Sequence, residues 1–197
     1  MTRPSCNWRA NDRHLALEAH RRLATPNQLA RATPEATGPV KVVKTAIEGL
    51  SGVFQHLTHE HGEITALLLR VKTMSDPRAR AALFPRIRIA LLSHEKGEVA
   101  EVYPVFRERT ELTLFAEDHD REAGQLEAQV HAVSVLAYDD AKWADRFTDL
   151  LDLVSGHTRE EEYQYFPAAQ RLLGDEAAEQ MLVRYEQAKA RAAKSEV

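Results

Sequence analysis

The sequence predicts an all-α protein: an antiparallel up-down four-helix bundle with an N-terminal extension and an extra C-terminal helix. Three observations carry this. Helix formers dominate, with only 8 Gly and 8 Pro in 197 residues. Strand-like alternation is absent, and apolar residues instead recur at three- and four-residue intervals, the buried stripe of a bundle helix. Short turn signals separate the stripes, so successive helices run antiparallel. A chain of this length buries one good core. The division is an N-terminal extension over residues 1–40, a bundle over 41–174 and a C-terminal helix over 175–197.

Residues 1–40 hold Pro4, Pro26, Pro34, Gly38 and Pro39 and little periodicity, and read as partly irregular with one short helix from Ala10 to Ala24. His14 and His20 there read as solvent-facing. A first long helix is predicted from near Pro39–Lys41 to Met74, with the stripe Leu50, Phe54, Leu57, His61, Ile64, Leu68 and Val71. His61 takes a core position; His56 and His59 are rotated off it. Gly49 and Gly52 weaken this helix or admit a close neighbour. Ser75, Asp76 and Pro77 start the next segment, which is expected to break or bend at Pro85. The second long helix then reaches Arg107, with Phe84, Ile87, Leu91, His94, Glu98, Val102 and Val105 inward. The third, residues 110–136, turns Leu112, Phe115, His119, Glu122, Leu126 and Val130 or Val133 inward, and His131 outward. The fourth runs from Ala141 to Leu173 and ends at Gly174. Its stripe is Phe147, Leu150, Val154, His157, Glu161, Tyr165, Ala168 and Leu172. The last helix, Glu176 to Ser195, opposes Met181, Leu182 and Tyr185 to a charged face, which places it on the outside of the bundle or on a partner.

One stretch appears twice. His94 to Pro104 is echoed 63 residues later from His157 to Pro167. In both copies a Glu follows the His by four residues (Glu98, Glu161). A Pro follows that Glu by six, with an aromatic just before it (Tyr103, Phe166). Identical offsets suggest an internal duplication, and Pro104 and Pro167 are expected to bend their helices alike. His and Glu at i and i+4 share one helix face. On a wet surface such a pair is an ordinary charge pair, but here both members stand where Leu belongs. A buried Glu without a partner is costly or forced neutral, and a cation resolves the conflict. The candidate ligands are His61, His94, Glu98, His119, His157 and Glu161, with Glu122 a weaker candidate as ligand or as acceptor behind one. Each half offers two His and one carboxylate, the set of non-heme iron sites with open positions. Two facing halves make room for two metals ~3.5–4 Å apart. Ligand chemistry alone permits iron, manganese or zinc.

Composition narrows the partners. A net charge of −4 with dispersed Arg and Lys argues against nucleic acid. No apolar run approaches a membrane span. The single Cys6 allows no disulfide framework within one chain and no thiolate metal site, which fits a reducing, cytoplasmic location.

His61, His94xxxGlu98, His119 and His157xxxGlu161, with Tyr103-Pro104 and Phe166-Pro167, resemble the hemerythrin / HHE cation-binding family from Phe54 to Gly174, about three-fifths of the chain. The resemblance implies a four-helix bundle around two irons bridged by oxo or hydroxo groups or by carboxylate. It implies four terminal His, with Glu98 and Glu161 binding or bridging. The sequence departs from the oxygen carriers of that family. They place a second His one turn from the third-helix His, whereas positions 115 and 123 here are Phe and Ala. Their last ligand is a bridging Asp at longer spacing, whereas here it is Glu161 at i+4. The more open sphere leaves room for Glu122, water or Tyr165.

The expected function is therefore binding or processing of a small oxidant, O2, H2O2 or NO. The pocket is expected to be lined by Phe54, Leu57, Phe115 and Leu91, and Tyr103, Tyr163 or Tyr165 is a candidate hydrogen-bond donor. If it is an enzyme, it is a di-iron oxidoreductase. The alternative is a non-catalytic iron or oxygen sensor or an iron store. The expected partners are a diatomic or peroxide ligand and an unidentified redox partner, in a monomer or homodimer.

Overall fold

A computed structural model describes residues 49–196; the readings made for residues 1–48 lie outside it. Every element among the described residues is helical. They are α1 (Gly52–Lys72), α2 (Pro77–Glu101), α3 (Tyr103–Arg107), α4 (Thr113–Ser134), α5 (Ala141–Glu160), a π-helical turn (Glu161–Tyr165) and α6 (Phe166–Ser195). The main helices begin where capping residues allow. The Asp76 carboxylate accepts from the Arg78 N–H with Pro77 in the first turn, and Asp140 accepts from Lys142 N–H. No described helix is long and apolar enough to cross a membrane.

The inward stripes of α1, α2 and α4 are buried almost throughout, including Phe54, Leu57, Ile64, Leu68 and Val71 of the first, and Leu50 just before it is buried too. They build two apolar layers. One holds Phe54, Leu57, Tyr103, Phe106, Ala116, Tyr165 and Phe166, and the other Ile64, Phe84, Leu91, Leu126, Phe147, Leu150 and Val154. The result is an all-α helical bundle.

Three local expectations are corrected. The first helix begins at Gly52, because Gly49 to Ser51 are not helical and Gly52 has a φ of 53°. A Cβ there would stand 2.3 Å from the Ala178 carbonyl carbon, so this glycine admits the C-terminal helix. Pro85 does not interrupt α2, which runs through it. A proline removes one hydrogen bond and need not end a helix whose other faces are packed, here by Phe84 and Ile87.

The regular α-helix is interrupted near both repeated prolines. α2 gives way to α3 at Val102, just before Pro104, and the π turn ends just before Pro167. That turn corrects the third reading. A π turn holds one residue more than an α turn, so the register of the stripe slips after Tyr165. Phe166 and Ala169 are buried in place of Ala168, which is half-buried, and Leu172, which is exposed.

α6 departs from helical geometry at Gly174 (φ 79°), and its later part packs on α1 and α2, burying Ala178, Met181, Tyr185 and Ala188. This packing brings the Tyr185 hydroxyl to Glu60 and His94.

Candidate metal centre

The two apolar layers leave a polar stratum between them. His61 of α1, His94 and Glu98 of α2, His119 of α4, and His157 and Glu161 at the α5–π junction all lie there, buried. Each isolated His is stacked under the aromatic that precedes a repeated proline. The Tyr103 ring lies on His119 at 3.4 Å between centroids, and Phe166 lies on His61 at 5.8 Å. The stacking is crossed, since each half of the duplication covers the His of the other.

Two groups of donors result. Glu95, Glu98, His119 and His157 present atoms within 4.8 Å of one another, and so do His61, His94 and Glu98. Two carboxylates join them. Glu98 Oε2 is 3.4 Å from His94 Nε2 and 3.8 Å from His119 Nε2. Glu161 Oε2 is 3.3 Å from both His61 Nε2 and His157 Nε2. Tyr103 donates its hydroxyl to the other oxygen of Glu161 at 2.5 Å, the hydrogen-bond role expected of one of the tyrosines. Tyr165 donates to Glu160 instead.

The outward nitrogens of three rings are held by carboxylates. His61 Nδ1 is 2.9 Å from Glu162, His94 Nδ1 is 2.8 Å from Glu60, and His157 Nδ1 is 3.0 Å from Glu122. Glu122 is thus an acceptor behind a histidine. Such a partner keeps the proton on Nδ1 and turns the Nε2 lone pair inward, the arrangement that orients metal-binding imidazoles. The consequence is sharpest for His61 and His94, whose Nε2 atoms face each other at 3.1 Å. Two lone pairs at that distance repel unless one nitrogen is protonated and donates to the other or a cation lies between them.

The remaining inward atoms are orphans. Both oxygens of Glu95 and of Glu98, Oε2 of Glu161, Nε2 of His157 and both nitrogens of His119 are buried without a hydrogen bond. Glu95 Oε1 approaches His119 Nε2 to 2.9 Å, yet the pair lacks the alignment of a hydrogen bond. Unpaired buried polar atoms are costly, and a metal ion is the partner that this concentration of nitrogen and carboxylate fits. The chain is a metal-binding protein.

Protonation follows from the same crowding. Burial, then the charges of Glu161 and Glu95, push the Glu98 carboxyl well above its usual range. Burial also works against charge on Glu161, but His157 and His61 outweigh it and hold the carboxylate low. Burial lowers His157, and the Glu161 charge with the Glu122 hydrogen bond overcomes it, raising the ring to about 10. Without metal the cluster therefore stores protons in place of cations. Against the stratum lies a cavity of about 10 Å³, lined by His61, His94, His157, Glu95, Ile64, Leu91, Val154 and Thr158. Of the expected lining only Leu91 is there. Phe54 and Leu57 belong to the opposite layer, and Phe115 stacks on Tyr165.

Four contributors escaped the sequence reading. Glu95 follows His94 directly and lies three residues before Glu98, a spacing that shares a helix face and was available as a signal. Glu60 and Glu162 each neighbour a candidate ligand. Tyr185 had no signal, since only the tertiary packing of α6 brings its hydroxyl to His94. In the other direction, His59 is exposed and paired with Glu63, and His131 is exposed.

Comparison with known proteins agrees with the geometry. The chain is 28% identical over 136 residues to a protein named DNA nickase from Nostoc sp. (strain PCC 7120 / SAG 25.82 / UTEX 2576), a match covering 67% of this chain. It spans only 37% of the length of that relative. No solved structure matches. The family model described as hemerythrin HHE cation binding domain matches residues 52–169, a span that holds every residue of the two donor groups. The chain belongs to the hemerythrin HHE cation-binding family.

Proposed function

We propose that the protein holds two iron ions and binds or processes a small oxidant, dioxygen, hydrogen peroxide or nitric oxide, beside them. The observation that carries this reading is the sharing of Glu98 and Glu161 between two inward-facing donor groups, each with two imidazoles. His61 and His94 would hold one ion, and His119, His157 and Glu95 the other, with Glu98 and Glu161 within reach of both groups. The same donors accept manganese or zinc, so the preference for iron follows the family. Bound iron supplies Lewis acidity and one-electron redox chemistry.

The chain's own residues set what can reach it. The cavity of about 10 Å³ is near the lower limit for a single water, which favours a ligand of two or three atoms over an organic substrate. Ile64, Leu91 and Val154 keep that side apolar and exclude bulk water. Tyr103 holds Glu161 by its hydroxyl, and burial together with the Glu161 charge pushes that phenol well above its usual range. It therefore remains a proton donor at neutral pH. The nickase activity named for the relative is not part of this reading, because the chain spans only 37% of that protein's length and carries a net charge of −4.

The test is an electronic spectrum of the iron-loaded protein titrated with azide, peroxide and nitric oxide. The reading expects at least one of them to change the iron absorption saturably. A spectrum indifferent to all three would contradict it. Loading far beyond two irons per chain would favour an iron store.

A further inference from the structure

We infer that the C-terminal helix completes the metal centre: Tyr185 and Lys189 are positioning residues that act through Glu60 on His94. The inference rests on the metal reading above and extends it to residues beyond the matched span of 52–169.

The geometry is that of a saturated carboxylate. Glu60 Oε2 accepts from His94 Nδ1 at 2.8 Å and from the Tyr185 hydroxyl at 2.7 Å. Glu60 Oε1 meets His56 Nε2 at 2.7 Å and the Lys189 ammonium. The Tyr185 oxygen is also 3.0 Å from His94 Nδ1, closing a triangle of tyrosine, carboxylate and imidazole. Tyr185 is wholly buried, and Glu60 nearly so. The matching carboxylate of the other half, Glu122, has no such clamp. It holds His157 at 3.0 Å, and the other cation beside it among the described residues is Arg121 at 3.9 Å.

The sequence is cut to admit this clamp. A Cβ on Gly97, inside the first copy of the repeated motif, would stand 2.7 Å from Tyr185 Cε2 and 3.3 Å from Lys189 Cβ. Together with Gly52 beneath Ala178, this leaves two glycines facing the C-terminal helix where side chains would expel it. A carboxylate behind a metal-binding His fixes its ring and raises its donor strength. Loss of such a partner costs about 10- to 100-fold in metal affinity. In this chain the effect reaches one donor group only, that of His61, His94 and Glu98.

The experiment is iron titration against a competing chelator, following the iron spectrum, for the full chain and for Tyr185→Phe, Lys189→Met and the double variant. Both changes keep the packing volume, and thermal unfolding of the metal-free forms checks that the fold is intact. Glu122→Gln serves as the variant of the other half. The expected result is that one of two irons binds about tenfold more weakly in the double variant, with an altered spectrum and an unchanged metal-free unfolding temperature. Wild-type affinity for both irons in the double variant would overturn the inference and leave the metal reading standing. So would a loss that merely tracks a fall in metal-free stability. Failure of the wild-type chain to bind iron would remove both.

Discussion

Glu95 and Thr158 stand at the same place in the two copies of the motif, directly after the His, and Val99 and Glu162 stand at the place after the second Glu. These two differences make the centre unequal. Glu162 fixes His61, whereas Val99 leaves His119 Nδ1 without a partner. Glu95 adds a buried donor beside His119 and His157, whereas Thr158 contributes to the wall of the small cavity. Glu95→Ala should therefore weaken one metal more than the other, seen as two distinct transitions in a chelator titration. His59→Ala should leave metal content and stability unchanged to within about 0.5 kcal/mol, because the ring is exposed and its pair among the described residues is a surface one with Glu63. Proton balance gives a further expectation. His157, raised to about 10, carries a proton at neutral pH in the metal-free protein, and burial shifts Glu98 in the same direction, toward its protonated form. Ligands must shed protons to bind, so metal affinity should rise with pH and fall as the solution is acidified from pH 8 to pH 6. Calorimetry in buffers of different ionisation enthalpy should show protons released. Affinity independent of pH would contradict this account of the cluster.

Helices differ in how much of themselves they disclose in sequence. The stripes of α1 and α4 were legible because an uninterrupted α-helix keeps its 3.6-residue period, and His61 and His119 could be placed on it. The last stretch of the fourth helix was not, because one extra residue in the π turn moves every later side chain by about 100°. Pro104 and Pro167 marked the interruptions of the helices by their repetition, but Pro85 looked the same in sequence and left α2 intact. The seat of α6 was hidden for a different reason: Gly97 and Tyr185 are 88 residues apart in sequence (185 − 97), and only the fold makes one the mould of the other. Gly97→Ala measures that contact. Alanine gains about 1 kcal/mol in helix propensity, while a Cβ 2.7 Å from a buried ring edge costs about 1–3 kcal/mol in overpacking. The ring cannot retreat without breaking its bonds to Glu60 and His94, so the net effect is destabilising. The midpoint of denaturant unfolding should drop with little change in slope.

At the scale of the whole molecule, the described residues form a bundle whose middle layer is unfit for burial until a cation enters it. Apolar layers on either side supply the driving force for folding. The layer between holds unpaired carboxylates and imidazoles that oppose it. Metal should therefore stabilise the fold by linkage, by about 2.7 kcal/mol per site at a hundredfold excess over Kd, and chelation should lower the unfolding temperature by several degrees. The most direct test of the central claim is metal analysis of the reconstituted chain beside Glu98→Ala and Glu161→Ala. The account predicts about two irons per wild-type chain and loss of most of the metal in either variant, with helicity retained. Metal content equal to wild type in both variants would contradict it.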